Sequence, residues 1–505
     1  MMLLAPLGID HTSAMLLAVL IPMIGAVLVV LTGRSPNLRE AVTLATSLAL
    51  FVTVLHLAGG HHAGESGELV LFDVVPGIPI AFELEPLGLI FALVASGLWI
   101  VTSIYAIGYM RGNNEKNQTR FYACFAIALG AAMGIALADN LLTLFIFYEV
   151  LTLSTYPLVA HKETEEARRG ARIYLGILLA TSIGLLLPAI IWTYAAAGTG
   201  DFRAGGILEG NIEVALVPVL LGLYMFGIGK AALVPIHPWL PFAMVAPTPV
   251  SALLHAVAVV KAGVFTVLKV TVYVFGTDFL ADTQASVWIM WVAAFSIVFA
   301  GIVAMTKDNL KARLAYSTVS QLSYVTLGAM LASSYGITAG ALQIVMHATA
   351  KITLFMCAGA IYVATHKTEL REMDGLGRQM PWVYGAFTVA SLAIIGIPPL
   401  GADWVKLYLV MAASESGHGY IVYVLILASL LSIGYLLPVV ARGFFGGLTR
   451  AEPGRSFSDG VQGGPRVKGH VLTVAAPVFT AGLCLVTLAL VGPLKALIAP
   501  ILGGH

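Results

Sequence analysis

Charge is what this chain lacks most: only 10% of its 505 residues are Asp, Glu, Lys or Arg. Soluble domains carry about 25%, so a soluble enzyme of two or three domains is excluded. The few charges nearly cancel, 27 basic against 26 acidic, which leaves no basic excess to attract nucleic acid. Three cysteines, Cys124, Cys357 and Cys484, all fall in apolar runs. They are too sparse and too separated for a disulfide framework or a metal cluster. The patterns HExxH, GxxxxGKS/T and CxxC do not occur, so the common zinc, nucleotide and redox signatures are missing and no cofactor is implied. No loop exceeds about 30 residues, which leaves no room for a separate soluble catalytic domain. What is abundant is apolar: 59% of residues are hydrophobic and the mean hydropathy is +0.92. The chain reads as a polytopic membrane protein.

A bilayer-crossing helix needs about 20 predominantly apolar residues. Fourteen such runs are predicted, at about 12–33, 41–60, 87–110, 119–138, 140–160, 171–198, 212–232, 246–275, 284–306, 313–333, 336–364, 382–402, 419–441 and 469–494. The first lacks a basic leader and a small-residue cleavage site, so it reads as a retained helix. With the N-terminus outside the cytoplasm, the alternate loops that face inward hold 20 of the 27 basic residues. These include Arg34 and Arg39, Arg111 and Arg120, Lys307 and Lys311, and Arg442 to Lys468. The outward loops hold only Arg203, with Lys495 at the outer end of the last span. That asymmetry is what the positive-inside rule demands, and it puts both termini outside. The stretch 61–85 alternates in character and predicts a small hairpin over the outer face, while 446–468 reads as a cytoplasmic loop.

The informative residues are the ionisable ones inside the spans: Glu149, Lys230, His255, Lys261, Lys269, His347, Lys351, Asp403 and Lys406. Each central charge costs about 2.5–3.5 kcal/mol on the insertion scale, so they must be paired, neutralised or hydrated, and they point to an ion or proton path. Glu149 stands in a long uncharged stretch and needs a cationic partner or a proton. A static salt bridge would explain it too, but buried ion pairs stabilise weakly. After Lys230 come Pro235, Pro238, Pro241, Pro247 and Pro249, which cannot share one regular helix. The twelfth run is interrupted likewise at Pro398 and Pro399, with Lys406 just beyond. Interrupted segments in corresponding halves of a transporter point to the transport site; ordinary proline kinks are the bland alternative. Lys261 follows His255 by six residues, and His347 precedes Lys351 by four, which puts the second pair on one helical face. A histidine and a desolvated lysine can both titrate near neutrality and hand a proton along water. Lys269, nearer the outer end, is expected to snorkel. Asp403 either neutralises Lys406 across one turn or shifts its pKa.

These residues lie in segments that resemble the antiporter-like subunits shared by respiratory complex I, Mrp-type cation/proton antiporters and membrane-bound hydrogenases. The segments are FYEVLTLSTYPLV (147–159), GKAALVPIHPWLPFAMVAPTPVSALLHAVAVVKAGVF (229–265), KARLAYSTVSQLSY (311–324), MHATAKITLFMCAGAIY (346–362) and GIPPLGADWVKLYL (396–409). The resemblance covers about 120–446. It implies an all-α fold of fourteen helices, with helices 7 and 12 broken and two inverted five-helix repeats at 119–275 and 284–446. Residues 1–118 would hold the first three helices, and 447–505 a cytoplasmic loop and the last helix. It also implies that Glu149 pairs with Lys230, that His255, Lys261, His347 and Lys351 form a central hydrated axis, and that Lys406 ends it. Proton hops would follow the distance between Glu149 and Lys230. Two points limit the likeness: Asp403 adds a charge where members more often show Gly-Phe-Trp-Ser-Lys, and some members place glutamate at position 406, where this chain has lysine. The lysine leans toward the D-type member of the Mrp antiporters or the distal complex I type, and the length of 505 toward that D-type member or the middle antiporter-like subunit.

The implied function is a proton-translocating subunit of a multisubunit complex in the cell (inner) membrane, with an Mrp-type Na⁺ (or K⁺)/H⁺ antiporter as the preferred parent. Its partners would be sibling membrane subunits, lipid, H⁺ and Na⁺ or K⁺. One alternative is the pump arm of an NADH–quinone oxidoreductase or membrane-bound hydrogenase, whose redox groups would sit in partner subunits. Another is an inorganic-carbon uptake complex.

Overall fold

In hydrocarbon every backbone polar group must be satisfied internally, so apolar runs of this length are committed to helix. The computed structural model describes residues 9–446 and 470–502. The loop expected at 446–468 lies, beyond Gly446, outside the described residues, together with Arg450, Arg455, Arg466 and Lys468. Eleven helices among the described residues are long and apolar enough to cross a membrane, and the chain is a multi-pass membrane protein. Residues that favour helix starts set where they begin. Asn140, Thr164, Asn309 and Ser333 each accept a backbone N–H from their own first turn. Pro36, Pro86 and Pro381 stand in first turns that need no donor. Thr102, Thr193, Thr266 and Thr318, all buried, return their hydroxyls to the carbonyl one turn back, so these polar groups are satisfied within the bundle.

The alternation in 61–85 becomes an antiparallel hairpin, Glu68–Val75 with Ile78–Glu83. It is bound to the bundle through Glu83 N–H to Leu137 O and Asp139 N–H to Ala81 O. The loop around Asp201 and the ends of the helices near Tyr273 lie at this same end. The opposite end gathers the basic residues. There Arg111 pairs with Glu40, Arg120 with Glu163, and Arg442 with Asp374. Arg313 donates to the Tyr435 and Lys307 carbonyls.

Where the prolines crowd, regular structure gives way. Helix Val217–Gly227 is followed by a 3-10 turn at Gly229–Ala231, a short helix at Trp239–Phe242, and regular helix again only from Thr248. Helix Pro381–Ile395 likewise stops at Gly396, and the chain resumes as Ala402–Glu415. Two segments are enclosed by their neighbours, 248–275 throughout and helix Ser334–Thr365 over 336–361, whereas peripheral helices such as Ile421–Phe445 bury about a third of their residues. The first of the two contains wider π turns at Leu253–Val257 and Thr271–Phe275, a feature that recurs at functional sites. The enclosed pair is where the unexpected charges sit.

Candidate functional site

Five lysines and histidines ride on the two enclosed segments: His255, Lys261 and Lys269 on one, His347 and Lys351 on the other, all buried. The Lys261 ammonium meets His347 Nδ1 at 2.7 Å, joining the two segments. Lys351, one turn from His347, turns instead to helix Leu310–Met330 and donates to Ser317 Oγ at 2.6 Å and Leu314 O at 3.2 Å. His255 stacks on Phe355 at 4.5 Å between centroids, and neither ring nitrogen has a hydrogen-bond partner. His347 Nε2 is equally unpartnered and enclosed. Polar atoms of this kind are ordinarily served by internal water.

Lys230 stands in the 3-10 turn that the prolines force, against helix Leu141–Val159. Its ammonium donates to Tyr148 O at 2.8 Å and Thr152 Oγ1 at 2.5 Å, and lies 3.1 Å from the Tyr148 ring centroid. Two acceptors and a π face satisfy its donors. The resemblance implies a Glu149–Lys230 ion pair, but no such contact within 4.0 Å occurs among the described residues. The neighbouring Tyr148 and Thr152, one turn apart on the face toward Lys230, take the ammonium, while the Glu149 carboxylate oxygens are enclosed with no hydrogen-bond partner. The two charges are close along the chain fold yet separately held.

The close approach of Lys230 to the enclosed segment depends on Gly263. A Cβ there would fall 2.4 Å from Lys230 C and Ala231 N, atoms that cannot swing aside. Gly263→Ala is therefore expected to displace Lys230 and to cost about 1–3 kcal/mol of overpacking. Thermal unfolding of the detergent-solubilised protein measures this, and an unchanged midpoint would count against the contact.

Lys406 bonds Ile395 O at 2.5 Å and Ser429 Oγ at 2.7 Å, reaching back across the Gly396 interruption. Asp403 makes no ion pair with Lys406, and its Oδ1 is enclosed without a partner. Lys269 corrects the sequence expectation. It does not snorkel but is fully buried, 2.9 Å from Glu85 Oε1. Glu85 lies at the start of helix Pro86–Gly112, and a carboxylate supplied from so distant a segment removes the need to reach water. Sequence reasoning did not find Tyr148, Thr152, Ser317 or Ser429 as partners. Their only signal is an uncharged hydroxyl or ring in an apolar run, which is common in membrane helices.

Residues 138–432 match the family described as NADH:quinone oxidoreductase/Mrp antiporter, TM. Residues 76–122 match the family described as NADH-Ubiquinone oxidoreductase (complex I), chain 5 N-terminus. NADH-quinone oxidoreductase subunit N of Desulforudis audaxviator is 30% identical over 447 residues, covering 87% of each chain. The probable K(+)/H(+) antiporter A/B subunit of Rhizobium meliloti is 31% identical over 450 residues, which is 85% of this chain but 43% of that protein. The chain thus spans less than half the length of that relative. Among solved structures, the Mrp complex from Dietzia contains a chain with the same fold, at a TM-score of 0.84, 22% identity and 98% coverage of both chains.

Proposed function

The chain belongs to the NADH:quinone oxidoreductase/Mrp antiporter transmembrane family, and from that premise we propose that it is a proton-translocating subunit of a multisubunit membrane complex. The preferred parent is an Mrp-type Na⁺ (or K⁺)/H⁺ antiporter. The observation that carries this reading is the 2.7 Å contact of Lys261 with His347, made between the buried stretches of two helices. A lysine and an imidazole so placed exchange a proton at little cost, whereas a structural role would be better served by leucine.

The path runs from Lys230, with Glu149 as its modulating charge, through Lys261, His255, His347 and Lys351 to Lys406, and Asp403 tunes the far end. A proton on Lys230 is held by the Tyr148 and Thr152 oxygens and by the Glu149 charge beside them. Weakening that hold releases it toward Lys261. The fold proposed is fourteen spans in two inverted repeats, 119–275 and 284–446, flanked by 1–118 and 447–505, with spans 7 and 12 broken at the lysine-bearing interruptions. The basic end, with Arg111, Arg120 and Arg442, faces the cytoplasm, which sets both termini outside the inner membrane. Sibling membrane subunits cover part of the apolar surface.

A second reading is a pump-arm subunit of a redox-driven complex, favoured by the reciprocal 87% coverage with an NADH-quinone oxidoreductase subunit. Proton flux in vesicles holding the whole complex separates the two. Flux driven by a Na⁺ or K⁺ gradient supports the antiporter, and flux that appears only with NADH or another reductant supports the pump arm. Flux under neither condition would overturn both.

A further inference from the structure

Two turns along its helix from Lys261, about 12 Å on by the helical rise, Lys269 sits in a second ionisable cluster at the hairpin end. Its ammonium donates to Ala138 O at 2.6 Å, pairs with Glu85, and lies 4.4 Å from the Phe202 ring centroid. Beside this pair, Asp139 and Glu83 face the same cavity, brought together by the ladder that ties the hairpin to the bundle. Two carboxyl groups held this close disfavour each other's charge, which makes one of them easier to protonate. Burial, and then Glu83, push the Asp139 carboxyl up to about 6, while Lys269 pulls it down and Asp201 adds a smaller push up. The other groups facing the cluster are Glu68 on the opposing strand, Tyr194, and Arg203, which pairs with Asp201.

Glu83, Glu85, Asp139, Lys269 and Tyr273 line a cavity of 190 Å³, enough for several waters. Tyr273 is 5% exposed, and its hydroxyl, beside Glu85, finds no hydrogen-bond partner of normal length and angle. An enclosed hydroxyl turned into a polar cavity is a group that water serves. The arrangement differs from a plain acidic patch: it contains a buried cation, an unpartnered hydroxyl and a carboxyl pair on one cavity.

We propose that this cluster is a proton-exchange port connecting the Lys261–His347 pair to the water at the hairpin end, an inference that rests on reading the buried row as a proton path. A hydronium ion gives its proton to the Glu83–Asp139 pair and leaves as water. The proton crosses cavity water to Glu85, restoring the carboxyl pair and neutralising the partner of Lys269. Lys269 passes its own proton inward to the unprotonated Lys261–His347 pair, which becomes charged, and takes the one on Glu85. The port ends with the protons and charge it began with, and one proton has moved in. Run backwards, the same steps carry a proton out.

The test is proton flux by the whole complex in vesicles, with the pH varied separately on each side, for wild type, Asp139→Asn, Lys269→Arg and Lys230→Ala. Arginine keeps the ion pair with Glu85 but does not release its proton, so Lys269→Arg is expected to assemble at wild-type level with flux lowered about tenfold. Asp139→Asn is expected to lose the change in flux across pH of about 6 on the hairpin side only. A Lys269→Arg complex within about twofold of wild type marks the ion pair as a structural clasp and overturns the port. So does an Asp139→Asn complex with the wild-type profile, which decides alone should Lys269→Arg fail to assemble. Lys230→Ala with normal flux overturns the underlying row instead.

Discussion

Lys230→Ala is expected to drop ion-coupled proton flux to the leak of empty vesicles, a loss of about 100-fold or more, equal to a barrier raised by about 2.7 kcal/mol. The lysine begins the proposed path, where prolines prevent a regular helix and Gly263 brings the enclosed segment against its backbone. Alanine removes the one group there that can take up and release a proton. Lys230→Arg separates charge from chemistry: it keeps the positive charge but not the exchange, so it should be nearly as inactive. Glu149→Ala acts differently. Its carboxylate touches no cation, so its influence on Lys230 is a field across the helix rather than a contact. Glu149→Gln, which keeps the shape, should lose as much flux as alanine if the charge is what matters. Normal flux in Lys230→Ala would sink the path assignment, and normal flux in Glu149→Gln would remove its modulator.

The second large effect belongs to Lys261 and His347. Each alone leaves the other as an enclosed polar group without its partner, a penalty of about 1–3 kcal/mol. Lys261→Met and His347→Leu should each lower the thermal midpoint, and the double variant should cost less than the sum, because the orphaned group is gone too. A coupling of about 0.5–3 kcal/mol is the expected scale for residues in contact. All three variants should lack proton flux. Strictly additive destabilisation with flux retained would mean that the 2.7 Å contact is incidental.

Much of the architecture could be read from apolar run lengths. The runs expected at 87–110 and 284–306 appear as helices Pro86–Gly112 and Val287–Thr306. The alternation in 61–85 appears as the hairpin. These are local signals: a helix or strand pattern is written within a few turns of chain. The partners of the charges are not local. Lys261 finds His347, Lys230 finds Tyr148 and Thr152, and Lys269 finds Glu85, each across a long stretch of sequence. Periodicity tells which face a residue takes, not which helix lies opposite. The Lys269 expectation failed for that reason, since snorkelling is the default only when no buried carboxylate is at hand. The Glu149–Lys230 pairing implied by resemblance turns on a finer scale: one residue's step around the helix decides whether a carboxylate or a carbonyl receives the ammonium.

The two segments enclosed on all sides bear on how the protein is made. Thr248–Ala252 begins one and Ser334–Thr365 is the other, and between them they carry Lys261, Lys269, Lys351, His255 and His347. A helix leaving the insertion machinery into lipid by itself would expose those groups to hydrocarbon. Neither can therefore settle in the bilayer as an independent stage, as a uniformly apolar span does. Each must wait beside the machinery, or beside a chaperone, until neighbours on both flanks have arrived. The peripheral helices thus act as the scaffold of biogenesis, and the enclosed centre is completed last.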